Sequence, residues 1–374
     1  MKLCVLIMLA AMTSFAEMPD PLVFNDGSKV ENPADWEKRR LEILDIIRKE
    51  CFGYNPVERP DDLRFETAEQ DDNALEGKAV RKAVMISFSG PGGKLSFRVN
   101  IYIPKSEKPV GAFLLMCHRT PDKINLDKET DNEFWPAKMI VERGYAAIAF
   151  NANQVDTDKH DEHKGQVHGI FDKERKDDSW GTIAAWAWAC SRVMDYIETD
   201  KLIDAKRVAV IGHSRGGKTG LWAGATDSRF AMAISNNSGC SGAAMARRKE
   251  GERIKDIIRF RHWFCRNYDK YANKEEELPF DAHMLIALTA PRLVYVASAS
   301  GDKWADPRGE FEGALGASAV YEKLGMSGLS SKEYPQLNEA IQGGKVGYHL
   351  REGKHALNKF DWNKYMDFAD RHMK

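Results

Sequence analysis

The sequence predicts an α/β domain built on a doubly wound, mostly parallel sheet with helices on both faces. Three observations carry that prediction. Segments 83–89 and 97–103 alternate apolar and polar residues, as half-buried antiparallel strands do. From residue 111 onward, short apolar and β-branched runs alternate with helical stretches, the pattern of a parallel sheet crossed over by helices. The run Arg207-Val208-Ala209-Val210-Ile211 passes straight into Gly212-His213-Ser214-Arg215-Gly216 and then into a helical stretch, a strand-turn-helix junction of the kind that exposes a serine hydroxyl at a sheet's edge.

The elements follow in order. Lys2, an apolar stretch over 3–12 and Ser14-Phe15-Ala16 read as a secretory signal cleaved after Ala16, too short in its apolar part to span a bilayer. A secreted or periplasmic protein is expected. Asn32-Pro33-Ala34-Asp35 starts a helix through Lys49, with Trp36, Leu41, Ile43, Ile46 and Ile47 as its apolar contacts. The two alternating strands come next, then a buried strand over 111–117, a helix over 134–143 and a strand over 145–150. A long helix over 180–199 stacks Trp186, Val193 and Ile197 on one side. After the junction helix (215–225) come strand 230–235, strand 292–297, helix 309–324, strand 346–350 and a closing helix from Asp361. Residues 17–374 are expected to form a single catalytic domain with an N-terminal helical extension and two inserts, 151–179 and 243–273.

The chain has 374 residues and a formal net charge of −1. Both signs are spread along it, so no basic face concentrates for a phosphate backbone, and nucleic acid is not an expected partner. No later segment offers the roughly 20 apolar residues of a membrane helix. A monomer is expected. Six cysteines, less Cys4 in the signal, leave Cys51, Cys117, Cys190, Cys240 and Cys265, with no Cys-x-x-Cys spacing that would indicate zinc. Cys240 with Cys265, flanking the second insert, is the preferred pair if a disulfide forms; buried free thiols are the alternative.

Ser214 is the candidate nucleophile. A serine hydroxyl is nearly inert at neutral pH, so it needs a base, and the base needs an acid that fixes its tautomer. On such a sheet the acid follows a late strand and the histidine comes last. Asp302 follows strand 292–297, with Asp306 as rival. His355 hangs in the short polar loop after the final strand. His349 lies within that strand and is expected to be packed or paired, and His372 to be solvated. One oxyanion donor is the backbone N–H of Arg215, whose guanidinium adds charge near the same oxygen; a second is expected from Cys117-His118-Arg119-Thr120. Lys218, four residues after Ser214, faces the same side of the helix and suits an acidic or hydroxyl-rich acyl partner.

Two clusters invite a grander reading and do not support it. His160, His163 and His168 among Asp156, Asp158, Asp161 and Asp172 lack a helical i, i+4 metal spacing, and an exposed acidic loop explains them. Arg247-Arg248-Lys249-Glu250 reads as a solvated face unless the insert folds over the site.

Together Gly212-His213-Ser214-Arg215-Gly216-Gly217-Lys218, Ile234-Ser235-Asn236-Asn237-Ser238-Gly239-Cys240, Trp304-Ala305-Asp306-Pro307-Arg308-Gly309 and Gly353-Lys354-His355 resemble the glucuronoyl esterases of carbohydrate esterase family 15 in their bacterial form, from about residue 112 to the end. The resemblance implies the α/β-hydrolase fold, Ser214 as nucleophile, Arg215 at the oxyanion, and Lys218, Trp304 and Glu252 on the glucuronoyl ring. It also implies the activity: hydrolysis of the ester between 4-O-methyl-glucuronic acid of glucuronoxylan and lignin alcohols, with no metal or organic cofactor. Two departures stand out. His213 occupies the place of a fungal cysteine, so the fungal disulfide beside the nucleophile cannot form. Asn237 stands where fungal members carry the acid glutamate, which moves the acid role to Asp302.

The alternatives are another carbohydrate esterase, above all an acetyl xylan esterase, and a non-catalytic carbohydrate-binding protein on a hydrolase scaffold. An acetyl group needs neither Lys218 nor Trp304, and the non-catalytic reading would require a missing triad member.

Overall fold

The computed structural model describes residues 18–127 and 132–374; the signal segment 1–16 lies outside the described residues. Ten strands form one sheet: β1 (Arg64–Ala74), β2 (Ala79–Gly90), β3 (Gly93–Pro104), β4 (Val110–Cys117), β5 (Ala146–Asn151), β6 (Ile203–His213), β7 (Met232–Asn236), β8 (Leu293–Ala299), β9 (Glu339–Ile341) and β10 (Val346–Arg351). Their order is β1-β2-β3-β5-β4-β6-β7-β8-β10-β9. β1, β2 and β3 join one edge antiparallel, β9 the other, and the six strands between run parallel.

Helices cover both faces, so the central strands are buried on both sides and read as continuous apolar runs. In β4 all eight residues are buried. Ala112, Leu114 and Met116 enter the larger core with Trp186 and Trp222, while Phe113, Leu115 and Cys117 enter the second with Trp362 and Tyr365. Each such fully buried large side chain stabilises the fold by about 1.5–3 kcal/mol against exposure. Helix Thr182–Ile197 is buried nearly all round rather than on one side: Trp188 and Arg192 donate to the Glu58 carbonyl, and Phe65 packs edge-on against Tyr196. The N-terminal extension begins with helix Pro33–Ile47, capped by the Asn32 side chain, which accepts from the Asp35 N–H at 3.0 Å.

Three expectations need correction. Leu41 is exposed and contributes nothing to the core. β1 has no counterpart in the expected elements: Glu66, Glu69, Asp71 and Asp72 suppress its strand signal, yet an edge strand bonded on one side tolerates charge, which also deters pairing with other chains. Finally, His372 is half-buried against Phe368, with Nε2 at 3.3 Å from the Gln342 carbonyl, rather than solvated.

Candidate active site

Ser214 sits between the last residue of β6 and the first of helix Arg215–Thr226 with φ 59° and ψ −128°, a strained conformation that lifts its side chain off the sheet. Close approach requires glycine at 212: a Cβ there would lie 1.9 Å from the Gly216 carbonyl oxygen, whereas one on Gly216 would meet only the movable end of the Met116 side chain, at 2.9 Å. The Ser214 N–H donates to the Asn236 carbonyl at 2.9 Å, tying the turn to β7.

His355 and Asp302 come from loops after β10 and β8, neighbours in the sheet. Ser300 N–H donates to the Arg351 carbonyl at 2.9 Å and Gly301 N–H to the Gly353 carbonyl at 2.8 Å, so the two loops are stitched together. Buried Arg351 anchors the histidine loop from within: its guanidinium donates to the carbonyls of Lys354 at 2.9 Å and Ala356 at 2.6 Å, on either side of His355, and to Asp361 at 3.0 Å. His349, as expected, is buried and paired, with Nε2 at 2.9 Å from the same Asp361.

The result is a short contact, 2.5 Å, between His355 Nδ1 and Asp302 Oδ2. Asn237 Nδ2 donates to the same oxygen at 2.9 Å. Burial pushes the Asp302 carboxyl up, but the hydrogen bond and charge of His355, with Asn237 added, outweigh it and hold the group below its ordinary value. The rival Asp306 is turned elsewhere: it pairs with Arg248 at 2.8 Å and caps helix Pro307–Lys323 through the Gly309 N–H at 3.0 Å. His213 packs against His355 with ring centroids 4.5 Å apart and meets Asn236 Oδ1 through Nδ1 at 2.6 Å. Complete burial, with His355 and His118 nearby, keeps His213 far below the usual histidine range and therefore neutral.

Ser214, Asp302 and His355 line one cavity of about 390 Å³, together with Arg215, Lys218, Glu252 and Trp304. Lys218 is no solvated helix-surface lysine: it is 1% exposed. Its ammonium donates to the carbonyls of Ser238 and Cys240, each at 2.6 Å, and to Glu252 Oε2 at 2.7 Å. Glu252 in turn donates its N–H to the Trp304 carbonyl at 2.7 Å, so the carboxylate and the indole are set by one backbone bond. Trp304 is 52% exposed, an aromatic face left open at the cavity rim.

The two inserts converge on Arg215. Its Nη1 pairs with Asp158 of the first insert, and its guanidinium lies 4.5 Å from the ring centroid of Trp263 in the second. Asp158 also receives the Trp263 indole N–H at 2.9 Å and meets His262 Nε2 at 2.9 Å. Burial alone would raise the Asp158 carboxyl; His262, Arg215 and Trp263 reverse this and keep it ionised. These partners were not legible one by one. An aspartate among many in a charged loop and a tryptophan in an Arg-rich stretch become a set only when the loops meet.

Other expectations for the inserts are overturned. His168 is fully buried between Asp156 at 3.3 Å and Asp172 at 3.0 Å, so the histidine loop is partly internal rather than an exposed acidic strip. Arg247 and Arg248 are no solvated face: they bind Asp281 at 3.3 Å and Asp306 at 2.8 Å and pin the second insert beside the site. Of the two readings left open for Cys240 and Cys265, buried free thiols hold.

A family model described as "Glucuronyl esterase, fungi" matches residues 86–325. A carbohydrate esterase of an unknown prokaryotic organism is 42% identical, over 95% of this chain and 89% of its own length. A 4-O-methyl-glucuronoyl methylesterase of Schizophyllum commune is 27% identical, over 94% and 89% respectively. Among solved structures, a glucuronoyl esterase from Solibacter usitatus superposes with a TM-score of 0.89 at 39% identity, covering 96% of this chain and 98% of that one.

Proposed function

The chain belongs to the glucuronoyl esterase family, carbohydrate esterase family 15, and is a carboxylic ester hydrolase; from that premise we propose that it is a serine esterase cleaving the bond between 4-O-methyl-D-glucuronic acid of glucuronoxylan and lignin alcohols through an acyl-enzyme. The observation that carries this reading is the Lys218–Glu252 pair, tied to Trp304 through the Glu252 N–H, in the same cavity as Ser214 and the His355–Asp302 couple. A uronate ester presents ring hydroxyls to a fixed cation and carboxylate and an apolar sugar face to an indole; an acetyl group would use none of the three.

In the mechanism, His355 takes the Ser214 proton as the hydroxyl oxygen attacks the ester carbonyl, and Asp302 holds the imidazole in the tautomer that leaves Nε2 free to accept. Negative charge develops on the carbonyl oxygen, where the Arg215 N–H and guanidinium stabilise it. The guanidinium's pairing with Asp158 and stacking on Trp263 mean little reorganisation is needed as that charge appears. The protonated His355 then donates to the departing alcohol, and water attacks the acyl-enzyme by the same route in reverse. The signal read at 1–16 makes export the expected setting.

The test is hydrolysis of a benzyl glucuronate ester beside an acetylated xylo-oligosaccharide. Preference for the uronate ester, abolished by Ser214→Ala and by His355→Ala in folded protein, is the expected result; faster release of acetate would move the assignment to an acetyl esterase.

A further inference from the structure

Glu310 has no exposed surface and lies in the first turn of helix Pro307–Lys323, outside the residues that line the cavity. Its Oε1 accepts the N–H groups of Ser238 at 2.6 Å and Gly239 at 3.0 Å, while Oε2 accepts from the Ser298 hydroxyl at 2.6 Å. The segment it grips holds two non-glycine residues in the left-handed region, Asn237 at φ 47° and Ser241 at φ 61°. For a non-glycine residue such backbone costs roughly 1–2 kcal/mol and persists only where its surroundings over-determine it.

That same segment serves both halves of the site. The Asn237 side chain holds Asp302 at 2.9 Å, and the carbonyls of Ser238 and Cys240 each hold the Lys218 ammonium at 2.6 Å. A shift of the segment would therefore misplace the acid behind His355 and the cation beneath the sugar at once.

We propose that Glu310 is a positioning residue that locks segment 237–241 and so sets Asp302 and Lys218 relative to each other, coupling the proton relay to the uronate pocket. This rests on the roles assigned above to Asp302 and Lys218. Burial pushes the Glu310 carboxyl up to about 8, with Ser298 and the segment's amides opposing the rise. Glutamine keeps the shape of the group and an oxygen that can accept the Ser238 and Gly239 amides.

The experiment measures kcat and KM of full-length wild type, Glu310→Ala and Glu310→Gln on a benzyl glucuronate ester and on 4-nitrophenyl acetate. With Glu310→Ala, kcat falls on both esters through Asp302, and KM rises at least tenfold on the uronate ester alone through Lys218; Glu310→Gln restores most of both. A variant that had only lost stability would melt earlier without changing the ratio of kcat/KM between the two esters. An unchanged ratio, or kcat and KM within twofold of wild type in Glu310→Ala, would overturn the proposal. If the alanine variant does not fold, Glu310→Asp withdraws the carboxyl by one methylene and is held to the same ratio. Should wild type itself show no preference for the uronate ester, the substrate reading fails; should wild type discriminate and every Glu310 variant discriminate equally, the coupling alone fails.

Discussion

Nδ1 of His355 and Oδ2 of Asp302 lie 2.5 Å apart although 53 residues separate them, because β10 and β8 are parallel neighbours whose following loops leave the sheet at the same edge. This couple separates Asp302 from Asp306. Asp302→Asn removes the anion that stabilises the protonated imidazole and permits the wrong tautomer, so turnover is expected to drop on the order of 10³-fold. Asp306→Asn costs the Arg248 ion pair but keeps a capping side chain, so its activity stays within about fivefold and its stability within about 1 kcal/mol. Steady-state kinetics of both variants check the ranking, and the reverse order would transfer the acid role.

Lys218→Ala should separate substrates. The loss strips an ammonium from three partners and leaves Glu252 beside two unsatisfied carbonyls, so stability falls by about 3 kcal/mol. The kcat/KM for a uronate ester is expected to fall at least tenfold further than that for an acetyl ester. Equal losses on both, measured on protein shown to be folded by circular dichroism, would remove Lys218 from the sugar pocket.

Arg215→Lys retains charge but loses the planar fork that pairs with Asp158 while stacking on Trp263. A fall in kcat of about 10–100-fold is expected, with KM little changed, because the interaction matters most when the oxyanion forms. A raised KM at constant kcat would show instead that Arg215 serves ground-state binding.

Arg351→Lys tests whether the histidine loop is held from inside. A lysine cannot span the carbonyls of Lys354 and Ala356 while also meeting Asp361. His355 should lose its fixed position, lowering kcat about tenfold or more with a drop in melting temperature. Wild-type kcat in the variant would show that the loop needs no anchor.

Acid should destabilise the fold through buried His118 and His213. Burial, with Arg215 nearby, lowers His118 from 6.5 to about 3, and His213 is lowered as well. The unfolded chain therefore takes up protons below about pH 6.5 while these folded side chains do not, so stability is full above that pH and falls as pH drops toward 3. The slope is on the order of 1 kcal/mol per pH unit for each histidine. Chemical denaturation at pH 7 and pH 5 should show this loss in wild type and a smaller one in His118→Leu; identical losses would assign the acid sensitivity elsewhere.

Local sequence was enough to place the parallel core, the strained serine turn, and the positions of the proposed nucleophile, acid and base. Each depends on local information: β-branched runs, glycines where a Cβ has no room, and polar loops at the ends of strands. Edge strand β1 escaped because its charges obey the sheet's edge rather than strand propensity. Folding alone settles the residues whose chemistry depends on a distant partner. Asp302 rather than Asp306 meets the histidine, Lys218 is buried and paired, Asp158 and Trp263 reach Arg215 from separate inserts, and Glu310 stands behind the cavity. An aspartate, lysine or glutamate has the same local signal on a surface as in a site; burial and the partner brought by folding decide whether its charge is solvated, paired or suppressed.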